Sequence, residues 1–90
     1  MRRPAYSGQF KRDVKAVKKR GKDMRKLKQL MAVLLADQAL PEACLDHPLK
    51  GRWRRFRDAH IAPDWVLIYR IVGDVVHFER TGRLTDLFKE

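Results

Sequence analysis

The stretch DWVLIYRIVGDVVHFERT, residues 64–81, decides the fold. Its apolar residues alternate at a period of two, and Gly73-Asp74 interrupts the alternation where a two-residue turn wants a first residue tolerant of positive φ. Residues 64–72 and 75–81 are therefore two strands of a tight hairpin. Just upstream, WRRFRDAHI (53–61) is a third strand candidate, set off by Ala62 and Pro63. Three sequential strands with short links make an antiparallel meander. On its last strand His77 is expected on the face opposite Phe78 and Arg80.

A sheet this small needs a cover over one face, and the first third of the chain supplies it. Phe10, Val14 and Val17 share one helical face of FKRDVKAVKKR, with Ser7 as its cap and Gly21 as its stop. Met24, Leu27, Leu30, Met31, Leu34 and Leu35 recur at helical spacing after a capping Asp23. The short link at Gly21 and Lys22 makes the pair a helical hairpin, and Ala5–Ser7 reads as a short edge strand. The expected class is α+β: two N-terminal helices packed on a twisted antiparallel sheet, in one domain spanning 1–90. ALPEACLDHPLKGR (39–52) reads as a long connecting loop, the kind that tends to carry function. The tail RLTDLFKE is a last turn or short strand anchored by Leu87 and Phe88.

Charge is the strongest compositional signal. The 90 residues carry 21 Lys and Arg against 11 Asp and Glu, a formal net charge of +10, and up to Lys28 only Asp13 and Asp23 offset the basic residues. Such an excess calls for a polyanionic partner: nucleic acid, an acidic protein, or both in turn. No apolar run is long enough to cross a bilayer and no cleavable leader follows the basic start, so the cytoplasm is the expected compartment. Cys44 is the sole cysteine and reads as a small apolar filler; His47, His60 and His77 lack metal-ligand spacing. Neither a metal nor another cofactor is expected.

Cleaving an RNA backbone without metal takes a base for the 2′-hydroxyl, a cation for the crowded phosphate and an acid for the leaving oxygen. His47 sits on the loop entering the sheet, His60 and Asp64 bracket the bend between the first two strands, and Arg80 ends the third. A meander gathers those ends. Each residue also has a plainer reading: His60 as a carboxylate's partner, Asp64 as a turn cap after Pro63, Trp65 as core, Arg80 as an ordinary ion-pair member. Their joint occurrence beside a strongly basic surface favours the chemical reading.

The runs YSGQFKRDVK, KDMRKL, DHPLKGRW, RDAHIAPDWVLIY and FERTG, in this order and at these separations, resemble the YafQ branch of the RelE/ParE toxins, with coverage from Tyr6 to Phe88. The resemblance implies a RelE-like fold and a ribosome-dependent, metal-independent endoribonuclease that cuts mRNA in the ribosomal A site. It also implies silencing by a cognate antitoxin, in a toxin–antitoxin hetero-oligomer. By resemblance His47, His60, Asp64 and Arg80 are the catalytic positions, with Arg80 facing the phosphate. Trp65 and Phe88 are substrate-binding, Lys50 and Arg52 add cations for RNA, and Arg55, a departure where the family often has glycine, adds one more. Which residue is base and which acid stays open.

The family commonly has a histidine two residues after the glycine of RTG, and this chain has Leu84 there. Leucine donates no proton. Loss of a general acid removes roughly 10²- to 10⁴-fold of rate while leaving binding intact. The expectation is an enzyme by lineage with weakened turnover, or else another group such as His47 or Arg83 in the acid's role. The alternative is a translation blocker that binds RNA or the ribosome without cutting. A third reading, inhibition of a protein such as DNA gyrase, rests on fold analogy alone.

Overall fold

The computed structural model describes residues 1–88. In chain order the elements are β1 (Arg3–Tyr6), α1 (Gly8–Lys19), α2 (Met24–Leu35), β2 (His47–Pro48), β3 (Arg57–Ala62), β4 (Trp65–Val72), β5 (Val75–Arg83) and α3 (Leu84–Leu87). The strands form one sheet in the order β1-β5-β4-β3-β2. The expected meander is its centre, since β3, β4 and β5 pair antiparallel through successive hairpins. The sheet is mixed, however: β1 pairs parallel with β5, Arg3 opposite Val75 through Tyr6 opposite Phe78. The two helices between β1 and the meander provide the crossover that a parallel neighbour requires.

Local chemistry sets the element ends. Ser7 caps α1 by accepting from the Phe10 amide, and Asp23 caps α2 by accepting from the Arg25 amide. Gly73, at φ +60, takes the first turn position of the β4–β5 hairpin, where a side chain would be strained. Within the tail, Leu84–Leu87 forms the single turn of α3, and its last two residues lie outside the described ones. The long loop is not structureless: Glu42–Cys44 and Gly51–Trp53 form 3₁₀ turns, and His47–Pro48 pairs with β3.

Two clusters cover the two faces of the sheet. Phe10, Val17, Leu27 and Leu34 from the helices pack on Trp65, Leu67, Tyr69, Val76 and Phe78. On the other face Val66, Ile68 and Leu87 are covered by Leu49, Trp53, Phe56 and Phe88. The first expected strand is therefore shortened at its start. Trp53 and Phe56 are three apart, which places both on one side of a turn, and their rings meet edge-on at 5.5 Å. Phe56 also lies under the Arg70 guanidinium, 5.5 Å from the ring centre.

A bulge between Ile68 and Tyr69 alters the expected facing of β5. Tyr69 stands opposite Phe78 but Ile68 stands opposite Arg80, so Glu79 is the extra residue. One added residue reverses the side-chain alternation. Phe78 stays in the helix-side core, and Arg80 moves to the face of Val66 and Ile68, instead of sharing Phe78's face.

Candidate active site

Strand register lays out the site as a row. His47 is opposite Asp58, Asp58 opposite Ile68, and Ile68 opposite Arg80. Directly opposed residues share a sheet face, so the register points His47, Asp58 and Arg80 toward the face of the smaller cluster, while the Arg80 guanidinium itself ends at Asp13 of α1. His60, two residues beyond Asp58 and opposite Val66, joins them there. At about 4.8 Å per strand, two spacings put the Asp58 and Arg80 backbones roughly 10 Å apart.

Asp58 is the residue that sequence reading did not assign. Its side chain is 3% exposed, and Oδ1 lies 3.0 Å from His47 Nδ1. The contact is a close approach and not a hydrogen bond, because the same nitrogen lies 2.7 Å from the Leu45 carbonyl, and Oδ1 has no hydrogen-bond partner among the described residues. Burial pushes the Asp58 carboxyl above its ordinary range, while His47 and then His60 pull it down and Asp46 adds to the rise. A buried carboxylate facing two imidazoles is a setting that tunes proton donors and acceptors. The pattern R-D-A-H, which sets Asp58 and His60 on one strand face, was the available signal for it.

The strand entrance is held rigidly beside this row. Leu45 adopts φ +50, rare for a branched residue, and this turn aims its carbonyl at His47. Asp46 accepts from Arg57 Nε and Nη2 at 3.1 and 3.3 Å and from the Tyr69 hydroxyl at 2.6 Å. Burial, then Asp46, pushes the Tyr69 phenol upward, and the bond to Asp46 does the same for Arg57. Cys44 beneath is buried, and desolvation followed by Asp46 raises its thiol, which suits a filler and not a nucleophile.

The remaining expected residues divide. Arg80 is anchored to α1, its Nε 2.7 Å from Asp13 Oδ2. Asp64 lies in the β3–β4 turn with its carboxylate 3.5 Å from Lys22 Nζ, at the end of the sheet and apart from the histidine pair's contacts. Trp65, expected to bind substrate, is corrected to a core residue: it is 2% exposed and its Nε1 donates to Thr81 Oγ1 at 2.9 Å. No ring face is left for a base. Lys50, Gly51, Arg52, Trp53 and Phe88 line an open cleft of about 680 Å³, which unites three of the expected RNA-binding residues and adds Trp53. Phe88 meets Trp53 edge-on at 6.0 Å. Arg55 is exposed outside that lining. Leu84 opens α3 and is 40% exposed. Among the described residues no set of three or more His, Cys, Asp or Glu is gathered for a metal ion, and no helix is long and apolar enough to cross a membrane.

Likeness to known proteins places the chain among the RelE-like toxins of bacterial toxin–antitoxin systems. The model of the bacterial toxin of type II toxin–antitoxin systems, YafQ, matches residues 2–89. The chain is 51% identical over 84 residues to the mRNA interferase toxin YafQ of Escherichia coli strain K12, covering 92% of this chain and 91% of that one. It superposes on the crystal structure of YafQ from E. coli strain BL21(DE3) with a TM-score of 0.93 at 49% identity, over 98% of this chain and 99% of the other. In the E. coli DinJ–YafQ complex the match has a TM-score of 0.91 at 49% identity, again over 98% and 99%. The chain belongs to the YafQ family and is a toxin of a type II toxin–antitoxin pair.

Proposed function

We propose that this toxin is a metal-independent endoribonuclease that enters the ribosomal A site in the cytoplasm, cuts the mRNA there and thereby stops translation. The observation that carries the reading is the single row of His47, Asp58 and Arg80, with His60 beside it. One imidazole takes the 2′-hydroxyl proton, the freed oxygen attacks phosphorus, and Arg80 balances the charge that gathers on the phosphate. The P–O5′ bond breaks, and the leaving oxygen takes a proton from the other imidazole or from solvent. The products are a 2′,3′-cyclic phosphate and a 5′-hydroxyl. Asp64, in the β3–β4 turn beside Lys22 and outside the row, is the remaining candidate for a proton-handling group, and Lys50, Arg52, Phe88 and the exposed Arg55 are candidates for holding the strand.

E. coli YafQ crystallises with DinJ, which supports an antitoxin partner here as well. A net charge of +10 suits an acidic antitoxin segment that folds onto the toxin and covers the cleft. Leu84 favours the second reading, in which the toxin occupies the A site without cutting. Cell-free translation of an end-labelled message separates the two. Fragments formed only when ribosomes are present support the nuclease, and arrested ribosomes on intact message support the blocker.

A further inference from the structure

Asp13 is a buried acid on an otherwise basic helix, and the proposed chemistry leaves it without a role. Its side chain is 10% exposed. Four donors converge on its two oxygens: Gln9 Nε2 at 3.1 Å, the Thr81 amide at 3.2 Å, and Arg80 through Nε at 2.7 Å and Nη2 at 3.3 Å. The last pair is a bidentate grip on one edge of the guanidinium, the geometry that restricts an arginine most. It forms where β5 runs past the end of β1, which stops opposite Phe78 and leaves the Thr81 amide without a strand partner. One carboxylate thus fixes both the backbone at Thr81 and the side chain of the residue before it.

We propose that Asp13 is the positioning residue of Arg80: by holding the Nε and Nη2 edge it presents the Nη1 edge to the RNA phosphate. This rests on the reading of Arg80 as the phosphate-facing cation. The contact is built to stay. Asp13 is anchored from its own helix by Gln9 and from the sheet by Thr81, so it holds Arg80 from a fixed point and does not compete with RNA as a mobile counterion would.

The sign of one substitution distinguishes positioning from every plainer role. Asp13→Asn removes a negative charge from a chain already at +10. By charge alone that tightens binding to a polyanion, and if Asp13 merely sequestered Arg80 the tightening would be larger still. Positioning predicts the reverse. The experiment is a four-way cycle of wild type, Asp13→Asn, Arg80→Ala and the double variant, binding to ribosomes programmed with a message methylated at the 2′ oxygen, which cannot be cut. Melting curves confirm that each variant is folded at the temperature used. Asp13→Asn is expected to weaken binding by roughly tenfold, the scale of a charged hydrogen bond. In the Arg80→Ala background it should change binding no more than about twofold. Tighter binding, no change, or the same loss in both backgrounds overturns the proposal. If Arg80→Ala itself has no effect, the reading of Arg80 falls and this inference with it. Should Asp13→Asn not fold, Asp13→Glu keeps the charge but shifts the carboxylate by one methylene, and the same dependence on Arg80 decides.

Discussion

Restoring a proton donor at position 84 is the sharpest perturbation of the proposed chemistry. Leu84 begins α3 just past Gly82, which stands opposite Val66, which in turn stands opposite His60. The residue is 40% exposed, so at most 60% of its side-chain burial is at stake. Full burial of a leucine is worth about 1.5–3 kcal/mol, so Leu84→His forfeits at most about 1–2 kcal/mol, and less because the imidazole keeps part of the contact. Even a loss of about 2 kcal/mol lowers the melting temperature by no more than about 8–16 °C for a chain of this size. A general acid returned to its place is worth about 10²- to 10⁴-fold in rate, or roughly 3–5 kcal/mol of barrier. The catalytic gain therefore exceeds the stability loss, and single-turnover cleavage of ribosome-bound message should read it directly. The affinity for the programmed ribosome should stay within about threefold, since the donor acts on the leaving oxygen in the transition state. A folded Leu84→His protein that cuts no faster than wild type would refute the missing-acid account.

Two further substitutions test the site's burial. Asp58 has a folded-state pKa raised by burial, so its favourable contribution is complete below the unfolded-state value of about 3.9 and is lost as pH rises through the folded value. Asp58→Asn cannot ionise, so its stability relative to wild type should climb as pH rises above the unfolded carboxyl's value of about 3.9; a stability difference that stays constant with pH above that value would contradict the burial argument. Trp65→Phe removes the bond to Thr81 and part of a packed ring, and should destabilise by about 1–3 kcal/mol with RNA affinity unchanged in the folded protein. A loss of affinity without a fall in melting temperature would return Trp65 to the substrate.

The three hairpin strands were legible because alternation and Gly73-Asp74 are local signals, and both long helices because their apolar spacing and caps are local too. The parallel β1–β5 pairing was not legible, since it joins residues more than seventy positions apart and nothing within RPAY announces its partner. WRRF passed for alternation although its two rings are three residues apart, a turn's spacing. The bulge at Glu79 has no residue signature, yet it decides which face receives Arg80. His47 and His60 could be picked out by residue type, whereas Asp58 gains its meaning from burial and from a two-residue strand whose register only the folded chain defines. Asp13 shares the helical face of Phe10 and Val17, at steps of three and four, a placement that its charge obscured.

Analysis of the cut ends tests the central claim most directly. Message recovered from ribosomes exposed to the toxin, or to the faster Leu84→His form, should carry a 5′-hydroxyl on the downstream fragment and a 2′,3′-cyclic phosphate, or the 3′-phosphate from its opening, on the upstream one. Those termini require attack by the neighbouring 2′-oxygen, the reaction that imidazoles and an arginine can run unaided. A 5′-phosphate with a free 3′-hydroxyl would mean that water attacked instead, and the account of this row of side chains would be wrong.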